Sequence, residues 1–182
     1  SQSSIALATG PAGRAMAQPM EADLVEAFHE HLTMERNAEA AYFAIAIWFA
    51  ERELRGFSKF FKEESNNEQE HAAKFADYLI SRGQTVLLKD IPAPRQEWSS
   101  IEEIIVASFQ METEVTVSLQ QLYSMAERSS DTRTTVFLDP NVDSQLSSED
   151  EFAHILGRVR FADNQPTAIL IIDGELSEGK TT

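Results

Sequence analysis

Between Phe57 and Tyr78 the chain keeps one rhythm. Phe57, Phe61, Glu64, Glu68, His71, Phe75 and Tyr78 follow one another at alternating steps of four and three. That is the spacing of a helix face that packs in a bundle. Phenylalanines hold both ends of this stripe, but its centre carries two carboxylates and an imidazole. Buried carboxylates are costly unless they are paired or bind a metal. Glu68-x-x-His71 sets an oxygen and a nitrogen ligand on one helix face, the device from which di-iron sites in helix bundles are built.

The same rhythm predicts an all-α fold. A first helix is expected from about Pro19 to Leu54, with a seam of Phe28, Leu32, Glu35, Ala38 or Glu39, Tyr42, Ile45 or Ala46, and Phe49. Gly56 reads as the glycine just past its end. The second helix covers about 57–82 and stops at Gly83. A third begins at the overlapping capping boxes of Ser99-Ser100-Ile101-Glu102-Glu103 and runs to about Arg128. Its seam is Ile101, Ile105, Ser108, Glu112, Val115, Leu119, Leu122 and Ala126.

After a Ser129-Ser130-Asp131 turn, a fourth helix is expected over about 132–162, with Leu138, Val142, Gln145, Glu149, Phe152, Leu156 and Val159 inward. Pro140 should kink it or delay its regular start. Pro166 opens a short fifth helix around Ala168–Ile172, too short and too apolar to stand alone in water. Residues 1–18 read as a loose arm, 19–163 as the bundle, and 164–182 as the short helix and tail.

The polar seam positions fall at one height. Glu35 and Glu68 are symmetric about the first turn, and Glu112 and Gln145 about the second. Each lies about 16 residues from its turn, roughly 25 Å along a helix. The connection over 83–99 can span roughly 56 Å when extended, longer than a helix of about 26 residues at roughly 39 Å. It can therefore cross the full bundle, which puts the two turns at opposite ends. Glu35, Glu68, His71 and Glu112 then converge near the centre. The duller reading is a hydrogen-bonded polar cluster that fixes helix register.

Glu151-Phe152-Ala153-His154 repeats the Glu-x-x-His pattern, but Phe152 holds the seam there, so Glu151 and His154 are expected to face away. His29 and His31, near the start of the first helix, read as solvated surface histidines.

Composition narrows the chemistry. The chain has 182 residues, a formal net charge of −15 at pH 7 and no cysteine. The charge argues against direct binding of nucleic acid or an anionic membrane. Without cysteine, any metal must sit on oxygen and imidazole, which suits iron, manganese or zinc. No apolar run reaches membrane-spanning length, so a soluble chain is expected. Ser1 is not a start methionine, so removal of something upstream is expected.

Taken together, the Met34-Glu35-Arg36 stretch, Tyr42, Glu64, Glu68-x-x-His71, Glu112, Gln145 and the tail Ile172-Asp173-Gly174-Glu175-Leu176 resemble a non-haem ferritin, closest to the cyanobacterial type, over about residues 20–178. The resemblance implies a ferritin-like four-helix bundle with a long crossover, assembled as a homo-oligomeric shell of 24 subunits. It also implies oxidation of Fe²⁺ by O₂ or H₂O₂ at a di-iron centre, and storage of a ferric oxide mineral. By position, Glu35 and His71 would hold one iron, Glu68 would bridge, and Glu112 would hold the second. Gln145 would orient a water or the oxidant, Tyr42 would supply an electron, and Glu64 would relay iron. The plain alternative for Tyr42 is a core tyrosine with a satisfied hydroxyl.

The acidic residues that many bacterial relatives carry are here Asn67, Ser147 and Ser148, which speaks against a third iron site, with Glu149 no more than a candidate substitute. Gln69 stands where haem-binding relatives have methionine, so no haem is expected. By the resemblance Asp139 and Asp143 lie where the family has its three-fold pores; a solvated acidic face is the equal alternative. A cytoplasmic location is expected, or a plastid one if a targeting peptide was removed. Two other readings stay open: a peroxidase-like di-iron enzyme without mineral storage, and an inactive cage subunit.

Overall fold

The structure, a computed structural model, describes residues 7–179. Five α-helices carry the chain: α1 (Ala22–Glu51), α2 (Arg55–Ser81), α3 (Ile101–Arg128), α4 (Thr132–Ala162) and α5 (Pro166–Ser177). The first four form the expected bundle. Among the described residues, no helix is long and apolar enough to cross a membrane.

The predicted seams point inward. Leu24, Phe28, Leu32, Phe75, Leu79, Val115, Leu119, Leu122 and Leu138 form one apolar cluster. Tyr42, Ile45, Phe49, Phe57, Phe61, Ile105, Phe152 and Val159 belong to another. On each of α1 to α4 a polar seam residue stands between the two: Glu35, Glu68, Glu112 and Gln145, all buried. Val142 departs from its expected place and is exposed. At that turn α4 presents Asn141 instead, whose amide donates to the Phe137 carbonyl at 3.0 Å. Pro140 neither delays nor breaks α4, which runs through it as one helix.

The helix ends follow local chemistry. Ser100 accepts from the Glu103 N–H and caps α3, while the Glu103 side chain accepts from the Ser99 N–H at 2.6 Å, one residue before the N–H that a regular capping box engages. Asp131 caps α4 by accepting from the Thr134 N–H. Gly83 takes φ +75° after α2. The Gln84 N–H bonds to the Leu79 carbonyl and the Gly83 N–H to that of Ile80, both at 2.9 Å, the Schellman arrangement in which a glycine at positive φ ends a helix.

Gly56 does something other than end α1. The left-handed residue of that turn is Glu53, at φ 64°, and Gly56 lies in the first turn of α2. A Cβ there would stand 1.7 Å from the Asp173 carbonyl oxygen. The glycine is needed because α5 packs its backbone onto this turn. Leu54 gives α2 no side-chain cap, and Asp173 of α5 fills the gap by accepting from the Phe57 N–H at 2.8 Å. Ile169, Ile172 and Leu176 are buried beneath α5, each contributing about 1.5–3 kcal/mol.

Residues 1–6 of the expected loose arm lie outside the described residues. The rest of the arm has shape: strands Ala8–Thr9 (β1) and Ala15–Met16 (β2) pair antiparallel around a tight turn. This hairpin rests on the end of α2, where a Cβ on Gly10 would meet the Gly83 carbonyl at 1.9 Å. Buried Arg82 secures that end, bonding to Asp131, the Tyr78 hydroxyl and the Gln18 carbonyl. The α2–α3 connection climbs the bundle as expected. The Leu87 N–H donates to His29 Nε2 at 3.1 Å, Arg36 donates to the Lys89 carbonyl at 2.8 Å, and Trp98 meets Trp48 edge-on at 6.4 Å between ring centroids.

Candidate metal centre

The polar layer is built by four helices whose backbones are fixed by the apolar clusters above and below it. α1 contributes Glu35 and Tyr42, α2 contributes Glu64, Glu68 and His71, α3 contributes Glu112, and α4 contributes Gln145. All seven residues singled out from the sequence come together here.

Two groups of potential ligands overlap in the layer. One atom each from Glu35, Glu68 and His71 lie within 4.8 Å of one another, and so do atoms from Glu64, Glu68 and Glu112. Glu68 belongs to both. His71 Nδ1 stands 3.5 Å from Glu68 Oε2 and 3.7 Å from Glu35 Oε2, beyond hydrogen-bonding distance. Among the described residues, these two carboxylate oxygens are among four buried side-chain atoms with no hydrogen-bond partner. Buried polar atoms rarely go unpaired. Hard oxygens and a single imidazole at this separation fit a pair of divalent cations sharing the Glu68 carboxylate.

The second group is braced from two sides. Tyr42 donates its phenol hydrogen to Glu112 Oε1 at 2.5 Å. Gln145 Nε2 donates to Glu112 Oε2 at 2.7 Å and to the Glu112 carbonyl at 2.9 Å. The Tyr42 ring is held by Phe61 and Phe152, with both centroids 5.8 Å away. Glu149 is engaged elsewhere, accepting from the Thr116 hydroxyl, and it joins neither ligand group.

The electrostatics are those of acids crowded out of water. Burial, then the facing Glu35 carboxylate, push Glu68 up to about 9. Burial, then Glu151 and Glu112, push Glu64 up to about 8, and burial raises Glu112. His71 is pushed up to about 10 by Glu35 and Glu68. At Glu35 burial works upward, but the neighbouring Glu68, His31 and His71 outweigh it and hold the carboxyl well below the usual range. Burial, then Glu112, raise the Tyr42 phenol, which keeps its proton. The layer therefore holds protons where a metal would replace them.

Two expectations change. His29 and His31 are buried, not solvated. His29 Nδ1 bonds to the Val25 carbonyl at 2.9 Å while its Nε2 accepts from Leu87. His31 lies directly behind Glu35, with Nε2 2.9 Å from Glu35 Oε1. The signal was present in the sequence: His31 and Glu35 are one helical turn apart and share a face. His154 is exposed as expected, but Glu151 is half-buried, and its carboxyl is raised by burial and then by Glu112 and Glu63. Neither residue joins a ligand group among the described residues.

Known proteins resemble this chain in sequence and fold. A family model described as a ferritin-like domain matches residues 25–162. A bacterial non-heme ferritin of Staphylococcus haemolyticus (strain JCSC1435) is 32% identical over 149 residues, covering 81% of this chain and 90% of that protein. A ferritin of Pacifastacus leniusculus is 29% identical over 157 residues, covering 84% and 87%. Among solved structures, an open pore ferritin from the hyperthermophilic archaeon Archaeoglobus fulgidus superposes with a TM-score of 0.85 at 28% identity, covering 87% of this chain and 98% of that one. The match runs from α1 through α4, the helices that supply the polar layer, and the chain belongs to the ferritin family.

Proposed function

We propose that this protein oxidises Fe²⁺ to Fe³⁺ within the polar layer of each subunit and stores the product as ferric oxide inside a shell of 24 copies. The observation that carries this reading is the sharing of Glu68 by two ligand groups, with Glu35 Oε2 and Glu68 Oε2 buried and unpartnered between them. Iron is the substrate. Glu35 and His71 receive one ion and Glu112 the other, while Glu68 serves both. Paired-metal sites hold their ions about 3.5–4 Å apart. Glu64, one turn before Glu68, passes iron along α2.

Two Fe²⁺ ions give up two electrons. Dioxygen that takes them with two protons leaves as hydrogen peroxide; hydrogen peroxide that takes them with two protons leaves as water. Carboxylate oxygens are hard donors and favour the ferric product. Gln145 and Tyr42, both bonded to Glu112, fix its two oxygens. Exposed apolar side chains on α1, the connection, α4 and α5, among them Phe43, Leu87, Phe161 and Ile171, suit burial between subunits. The net charge of −15 favours attraction of cations.

The test is aerobic addition of Fe²⁺ in large excess over the subunits, followed by sizing. The expected result is catalysed oxidation and co-elution of iron with a particle near half a megadalton. Oxidation by a dimer that retains no iron would instead identify a redox enzyme without storage. A cage of normal size that oxidises iron no faster than buffer would identify an inactive shell subunit.

A further inference from the structure

We infer that His31 is a positioning residue for the first half of the metal pair: it grips one oxygen of Glu35 so that the other is turned toward Glu68 and His71. This rests on the metal reading proposed above.

His31 is wholly buried. Its Nε2 lies 2.9 Å from Glu35 Oε1 and its Nδ1 2.7 Å from Ser118 Oγ. Its ring stacks on Phe75 at 4.5 Å between centroids. Three helices thus fix one imidazole: α1 carries it, α2 supplies the flat surface it lies on, and α3 supplies the hydroxyl behind it. With Nε2–H donating to the carboxylate, Nδ1 accepts from the Ser118 hydroxyl, and both ring nitrogens are satisfied.

The consequence falls on Glu35. A carboxylate on a flexible side chain can turn either oxygen to a ligand. With Oε1 held from behind, the carboxylate plane is set, and Oε2 is left without a partner, 3.7 Å from His71 Nδ1. A histidine buried only to fill the core would need its own nitrogens satisfied. It would not need its partner to be the carboxylate whose free oxygen faces the ligand group. Partners standing behind a ligand typically change metal affinity or activity by about 10–100-fold when removed.

The test is anaerobic Fe²⁺ titration of the assembled full-length protein by calorimetry, comparing wild type with His31→Leu and His31→Gln. Leucine keeps the bulk and removes both hydrogen bonds. Glutamine restores an amide N–H toward Glu35. The expected result is two resolved binding events in wild type. In His31→Leu one event weakens about 10–100-fold and the other is unchanged, and His31→Gln recovers most of the loss. Should His31→Leu fail to fold, Ser118→Ala removes the second anchor of the ring and is expected to weaken the same event alone. Unchanged affinity in His31→Leu, or in Ser118→Ala where that variant replaces it, overturns the inference. So does a His31→Gln variant as weak as His31→Leu. A wild-type protein that binds no ion pair would instead overturn the metal reading beneath it.

Discussion

Tyr42 and Glu112 meet at 2.5 Å across the centre of the bundle, phenol hydrogen to carboxylate oxygen, although they are 70 positions apart in the chain. The bond joins α1 to α3 at the height of the polar layer. Its partner on the other Glu112 oxygen is Gln145. Glu112 therefore enters the layer with its orientation already decided.

Tyr42→Phe tests the contribution of that phenol. The ring keeps its packing against Phe61 and Phe152, and Gln145 still holds Glu112. The expected result is a fall of about tenfold in the initial rate of Fe²⁺ oxidation, read by stopped-flow absorbance, with binding stoichiometry unchanged. The lost buried hydrogen bond should cost about 1 kcal/mol of subunit stability.

The raised carboxyls predict a pH dependence with a definite sign. Glu64 and Glu68 ordinarily titrate near 4.5 and stand here at about 8 and about 9. The metal-free folded state thus holds their protons more tightly than the unfolded chain. Their contribution to stability is complete below about 4.5 and is lost as pH rises through about 8 and 9. His71, raised from 6.5 to about 10, acts in the same direction and loses its contribution as pH rises through about 10. Glu35, held low, acts oppositely and loses its contribution only in acid. The Tm of metal-free protein should therefore fall between about pH 5 and pH 9. A Glu64→Gln, Glu68→Gln variant should show a shallower fall over that range.

The same protons should leave when metal enters. Binding of Fe²⁺ near pH 7 is expected to release protons and to tighten as pH rises. Anaerobic calorimetry in two buffers of different ionisation enthalpy measures the number released. Zero release would contradict the assignment of protonated Glu64 and Glu68.

Gly56 predicts how α5 is held. Gly56→Ala forces a methyl group into the Asp173 carbonyl, 1.7 Å away, so α5 or the first turn of α2 must move. The expected cost is about 1–3 kcal/mol, with a milder loss of about 1 kcal/mol in Asp173→Ala, which removes the cap on Phe57. Thermal unfolding measures both. A neutral Gly56→Ala would mean that α5 does not pack on α2 in this way.

The sequence carried the bundle and the ligand layer because both are written in local spacing. Steps of three and four mark a buried face, and an acid interrupting that face is visible without any tertiary knowledge. The crossover was legible from chain length alone. Gly56 was misread because its reason lies in Asp173, far along the chain, while the turn itself is made by Glu53. His31 was misread because nearness to a helix start suggested solvent, although its four-residue spacing to Glu35 was in plain view. Val142 kept the expected step but is exposed, beside an Asn141 that is half-buried and bonded within its own helix. The hairpin at residues 8–16 has no hydrophobic alternation to announce it and forms against the glycine turn that ends α2.

The most direct test of the account is anaerobic titration of the metal-free protein with Fe²⁺, wild type beside Glu68→Ala. The account predicts saturation near two ions per chain in wild type and loss of the paired binding in the variant, because both ligand groups share that carboxylate. Saturation at one ion or none in wild type, or two ions bound as tightly without Glu68, would contradict it.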